Sequence, residues 1–375
     1  MRRIHLAAPT RADPGRCVLA LEANEVIMPS FVSSGDPIMA LNDFFARLFG
    51  SDRRHPLDAE PSDSIISDAP TADAPVVLRP RVLAIIHNPV VASTGEKIRR
   101  AYGWNDPDKL AQATIDDVRH ASYGSVEYRI VERIEVTDSR DGFPLKRDGF
   151  RYDPESFARA WQTRTFHSAD AVDYLALVRE FQMIERVNAD QIDEVWLLGY
   201  PYCGYYESIM AGPGAFWCNA PPLEGTAHAK RRFVIMGFNY ERGVGEMLED
   251  LGHRAESMLS KVYAPTHGEA NLWERFTRYD KTHPGRAECG NVHFAPNSLA
   301  DYDWGNPRTV SARCDTWLRF PDLAGDPRPV TAREWGGGDI RAHHLWWFRR
   351  FPHVQGASHG VSWNWWQYVI DPNRV

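Results

Sequence analysis

The chain has 375 residues, more than one ordinary compact core holds and enough for two domains or one heavily decorated domain. Hydrophobic residues make up 43% and charged residues 25%, with a net charge of −7 spread over both signs. That balance singles out neither nucleic acid nor an anionic membrane as partner, and no apolar run approaches the roughly 18 to 20 residues that cross a bilayer.

The basic start Met1-Arg2-Arg3 leads into a stretch broken by Pro9, Arg11, Asp13 and Pro14, which is no signal-peptide h-region. The expectation is a cytoplasmic protein, export requiring a leader outside this chain. Cys17, Cys203, Cys218, Cys289 and Cys314 are too few and too scattered for a disulfide scaffold, and the absence of C-x-x-C excludes a zinc ribbon. The 13 tryptophans, most of them beyond residue 270, are the unusual count. Indole N–H groups are costly to bury unpaired, so such density suits ligand clefts as well as cores.

Residues 1–50 carry modest apolar content, with a short helix expected at Met39 to Leu48. Residues 51–79 are dominated by Asp, Ser, Pro and Ala and read as a flexible linker. An α/β core then spans about 80–262. Arg81 to His87 is a continuous apolar run, as in a strand buried on both faces. Asp108 to Ala121 reads as a helix with Pro107 near its start, and Val126 to Val136 alternates like a strand. Asp170 is placed to cap a helix reaching Val187. Ile192 to Gly199 and Arg232 to Phe238 are two further strands, and a helix follows from Gly243 to about Val262. Strands alternating with helices imply right-handed crossovers and a mostly parallel sheet with flanking helices. Residues 263–375 lose periodicity and form an irregular Trp-rich block, packed on the core, with one helix near 340–351.

In open parallel sheets ligands bind beyond the carboxyl ends of the strands. That rule nominates His87 and Asn88, then Tyr202, Cys203 and Glu207, then Asn239 and Arg242, with Trp304 and Trp335 of the C-terminal block as further substrate contacts. Cys203 and His87 end two different strands, which leaves a Cys–His nucleophile pair open, but no Lys or Arg stands near Cys203 in the sequence to lower its pKa, and the favoured reading is a packing residue. Arg242-Gly243-Val244-Gly245 lacks the third glycine of a dinucleotide fingerprint, which disfavours nucleotide binding.

The helix after the last strand is the most informative segment. Val244, Met247, Leu248, Leu251, Ala255, Met258, Leu259 and Val262 make an apolar stripe, and the opposite face centres on His253 among Glu246, Glu249, Asp250 and Glu256. Gly252, in mid-helix, costs about 1 kcal/mol relative to Ala and signals a close approach to the backbone. Cover by the C-terminal block would turn these charges into a site needing a cation. The leading expectation is a metal-dependent hydrolase holding a divalent metal, zinc being the best fit, with His253, Glu249 and His293 as ligands. Asp250, Glu256 or Glu207 would then act as the base on a bound water. A helix leaving a parallel strand carries His253 roughly 15 Å from its start, so the site is expected either in a side cleft or at the strand ends near Glu246. Two other readings stand beside it. One is a carbohydrate-active or glycan-binding protein using Trp and Tyr stacking with carboxylate pairs such as Glu207 and Glu334, or Asp301 and Asp303. The other is a non-catalytic interaction protein. The substrate expected is a small molecule, peptide or glycan.

Overall fold

Strand β1, Arg81–His87, is buried from Val82 to Ile86 on both sides, as its unbroken apolar run requires. The structure is a computed structural model that describes residues 77–91 and 93–375. The expected helix at Met39 to Leu48 and all but the end of the 51–79 segment lie outside the described residues. Leu78 bridges to Val126.

Helix α1, Pro107–Ala121, starts as its sequence dictates: Pro107 takes the first turn, and the Asp106 carboxylate accepts from the backbone N–H groups of Asp108 and Lys109. It leads to β2, Arg129–Val136, an edge strand whose Ile130 and Val131 are exposed. The helix expected from Asp170 to Val187 is two: α2, Tyr174–Glu180, and α3, Met183–Asn188, separated at Gln182, which adopts a left-handed φ of 49°. The cap is Asp173, whereas Asp170 accepts from the buried Lys146 ammonium. Strand β3 is Glu194–Gly199 and β5 is Phe233–Asn239. Between them lies β4, Ser208–Ala211, a buried strand of 4 residues in a Gly- and Pro-rich stretch where no strand was expected.

The sheet order is β2-β1-β3-β5-β4, parallel throughout except for β4, which pairs antiparallel with β5. It is therefore a mixed, mostly parallel five-stranded sheet in an α/β arrangement. Side chains alternate across it: Leu83, Ile85, Val195 and Leu197 pack under α2 and α3, while Val82, Ala84, Ile86, Trp196 and Leu198 face the opposite layer. That layer contains α1 and the 20-residue helix α4, Val244–Tyr263.

The chain beyond Tyr263 shares this second hydrophobic cluster. Its main helix is α5, Ile340–Phe348, capped by Asp339. Short hairpins pair Val310–Ala312 with Arg328–Val330 and His353–Ser358 with Val361–Asn364. Its tryptophans form an aromatic core: Trp273 lies 5.7 Å from Trp365 and 6.1 Å from Trp347, and Phe276 packs among all three. Beyond residue 270 every tryptophan but Trp363 is buried. No helix among the described residues is long and apolar enough to cross a membrane.

Candidate metal centre

Two features of α4 set up the site. Its apolar stripe packs on the sheet, which leaves Glu249, His253 and Glu256 on the face toward the C-terminal block. The mid-helix glycine is where that block comes closest: a Cβ at Gly252 would lie 2.6 Å from Val292 Cγ2. Val292 belongs to a tight turn that presents His293. The Asn291 side chain accepts from the backbone N–H groups of His293 and Phe294. Gly290, at φ 74°, stands where any Cβ would strike the Phe294 carbonyl oxygen at 2.0 Å. Trp347 of α5 donates its indole N–H to the Gly290 carbonyl and ties the turn down.

The result is a compact histidine–carboxylate cluster. His253 Nε2 and His293 Nε2 face each other at 3.0 Å. Glu249 Oε1 lies 3.1 Å from His293 Nε2 and 3.9 Å from His253 Nε2, and the three residues offer ligand atoms all within 4.8 Å of one another. The other nitrogen of each ring is taken by a carboxylate. His253 Nδ1 is 3.0 Å from Glu256 Oε2, and His293 Nδ1 is 3.0 Å from Asp301 Oδ1. Glu256 is itself fixed, its second oxygen accepting from the Val292 backbone N–H at 3.2 Å. The Tyr302 hydroxyl donates to Glu249 Oε1 at 2.9 Å. Glu207, just before β4, places Oε2 3.8 Å from His253 Nε2 and accepts from the Asn219 amide.

The cluster is covered on one side and open on the other. The side chains of Glu249 and His253 are 10% and 15% exposed, those of Glu207 and Asp301 38% and 54%. Burial alone would push both imidazoles down. At His293 the carboxylates of Asp301 and Glu249 outweigh it and hold the ring up to about 10, and at His253 the Glu256 and Glu207 carboxylates likewise raise it. Burial opposes the charge of Glu249, but the bond from His293 prevails and lowers its pKa; His253 does the same for Glu256. In every ion pair described for Glu207, Glu249, Glu256 and Asp301, the partner is a histidine. Four carboxylates around two imidazoles leave an excess of negative charge that a cation would balance.

The residues named from sequence divide accordingly. Glu249, His253, His293, Glu256 and Glu207 come together on the flank of α4. Asp250 is buried on the same helix but is not one of the converging ligands. The strand-end candidates lie elsewhere, and most are engaged. His87 is buried with Nδ1 2.6 Å from the Tyr205 hydroxyl, and burial pushes its pKa down to about 3. Asn88 is buried, donates to Glu135 and accepts from the Arg99 backbone. Asn239 accepts from the Glu241 backbone, Arg242 pairs with Glu241, and the exposed Tyr202 stacks on Phe166. Trp304 and Trp335 are buried, the indole of Trp335 donating to the Trp304 carbonyl. Of the suggested carboxylate pairs, Glu334 binds Arg328, Asp303 accepts from Leu299 and Asn306, and Asp301 orients His293. The sequence reading missed Tyr302 and Asn219; Tyr302's only signal was its place between Asp301 and Asp303.

Neither a protein-family model, nor a curated protein, nor a solved structure matches this chain.

Proposed function

We propose that the chain is a metal-dependent hydrolase whose divalent ion, zinc by preference, is held by Glu249, His253 and His293. The observation that carries this reading is the 3.0 Å approach of two Nε2 atoms whose rings are each anchored at Nδ1 by a carboxylate. Carboxylates at Nδ1 select the tautomer that leaves lone pairs on Nε2, the arrangement that orients histidine ligands around metals. Two lone pairs facing each other repel unless a proton or a cation lies between them. Nitrogens bound at about 2.0–2.1 Å to one zinc ion stand roughly 3 to 3.5 Å apart. Two imidazoles and one carboxylate, with an open side, form a donor set typical of catalytic zinc.

A divalent ion held there would supply Lewis acidity and lower the pKa of water at neutral pH. Glu207 borders the open side and is the group assigned to take the proton. Glu256 has both oxygens committed and is assigned an orienting role. Burial of the other tryptophans leaves the sugar-stacking alternative only the partly buried Trp363 and the exposed Tyr302 as stacking surfaces in this block.

The test is a panel of activated esters, phosphoesters and short peptides, assayed with zinc-loaded and chelator-stripped protein. One class is expected to turn over with zinc only. Glu207→Gln should keep the metal and lose about 10²-fold or more in rate, the usual contribution of a positioned base. A full-rate Glu207→Gln variant removes Glu207 from the chemistry. Turnover indifferent to metal, or none in any class, removes the hydrolase assignment.

A further inference from the structure

Behind the three converging residues lies a second group of histidines with no visible employment. Both ring nitrogens of His343 and of His344, and Trp304 Nε1, are buried without a close hydrogen-bond partner, although the Ile340 backbone one turn back interacts with the His344 ring. The rings are in contact: His343 and His344 centroids are 5.2 Å apart, and Trp304 lies 5.0 Å from His343 and 5.3 Å from His344. Tyr302, bonded to Glu249, packs on Trp304 at 5.3 Å and joins this group to the metal centre. Natural interiors pair almost all their polar atoms, because an orphan forfeits its hydration for nothing in return. A buried imidazole this short of partners is a candidate to take a ligand where a metal site lies within reach.

The helix packing shows where that ligand would be. A Cβ at Gly245 would lie 2.5 Å from Ile340 Cγ2, and one at Gly252 would lie 3.7 Å from Trp347. The same step along both helices separates the two contacts, so α4 and α5 run parallel at close range. Interpolating between them sets position 344 level with Glu249.

We infer that His344 is a third histidine ligand of the divalent ion, an inference that rests on the metal centre proposed above. Burial favours the neutral imidazole, the form that ligates. His344 is not among the three residues whose ligand atoms already converge, so ligation requires its ring to turn toward Glu249 when the ion enters. His343 lies about 100° further round the helix and stacks on Trp304; it is assigned no ligand role, and nothing in the structure explains its two idle nitrogens.

X-ray absorption of the full-length protein loaded with zinc(II) alone, and separately with cobalt(II), counts the imidazoles around the ion. Three are expected in the native protein and two in His344→Ala, with zinc affinity, read by competition with a chromophoric chelator, lower by at least about tenfold. His343→Ala should keep three imidazoles. His344→Gln preserves volume if the alanine variant fails to fold, and the native count decides the matter without any variant. Two imidazoles around zinc in the native protein, or His344 variants matching it in count and affinity, overturn this inference and leave the metal centre standing. A native protein that binds neither metal overturns both.

Discussion

The carboxyl edge of the parallel strands and the histidine–carboxylate cluster along α4 use the same residue types in opposite ways. At the strand edge, histidine, asparagine and tyrosine are spent on one another. His87 bonds Tyr205, the Tyr240 hydroxyl donates to the His87 carbonyl, the Tyr200 hydroxyl to Gly142, and Asn88 bridges Glu135 and Arg99. In the cluster, carboxylates hold two histidines from behind and the remaining nitrogens face each other. Strand order reverses between β1 and β3, which is where a ligand crevice is ordinarily sought. Here the strand-end residues named above form a hydrogen-bonded network, and the converging histidines lie on a helix flank. What separates the regions is that in the cluster two ring nitrogens converge on each other and on one carboxylate oxygen.

The contrast also runs between consecutive residues of α4. Arg254 is fully buried, and its guanidinium donates to Glu194 at 2.9 Å and to the Ile370 carbonyl at 2.8 Å. Glu194→Ala leaves that cation unpaired, and urea unfolding should register a loss of about 3–5 kcal/mol, the largest effect expected on stability. A loss below about 1 kcal/mol would mean that the inward face of α4 is not the structural one.

Sharper for the cluster are Asp301→Asn and Glu256→Gln, each of which removes a carboxylate behind a histidine. Both should weaken zinc binding by roughly 10- to 100-fold, the usual cost of losing such a support, while Asp301→Asn barely moves the urea midpoint. Unchanged affinity in both variants would show that these carboxylates do not set the rings.

The strand edge makes a pH prediction of about 2 kcal/mol or less. His87 is buried and neutral, its pKa lowered from 6.5 to about 3 by burial. Its contribution is complete above the unfolded value and is lost as the pH falls toward the folded one, because the unfolded chain takes up the proton first. Between pH 6.5 and 5 that amounts to about 2 kcal/mol, at 1.36 kcal/mol per unit. His87→Gln should flatten this part of the stability–pH curve, and equal slopes in the two proteins would contradict the burial argument.

Much of the scaffold was legible because buried parallel strands announce themselves: β1, β3 and β5 are continuous apolar runs, and α1 carries its proline and its acidic cap. Strand β4 was not, since four residues among glycines and prolines carry no period. The break at Gln182 was hidden for another reason: Leu175, Val178, Ile184 and Val187 keep helical spacing across an interruption of the backbone. In the site, Glu249, His253 and Glu256 could be read from one helix face and Gly252 from its cost. His293 and Glu207 were named as candidates, but Tyr302 and Asn219 arrive through turns whose contacts no local spacing encodes. Tryptophan density misled for a physical reason: indoles suit cores as well as clefts, and composition cannot tell the two apart.

The central claim is that Glu249, His253 and His293 hold one divalent ion. Chelator-stripped full-length protein titrated with zinc, by calorimetry and by metal analysis after desalting, tests it most directly. One ion per chain is expected in the native protein and none retained in His253→Ala or His293→Ala, with unfolding curves of the metal-free proteins agreeing within about 1 kcal/mol. A folded native protein that retains no zinc, or a His253→Ala variant that retains it equally well, would contradict the account.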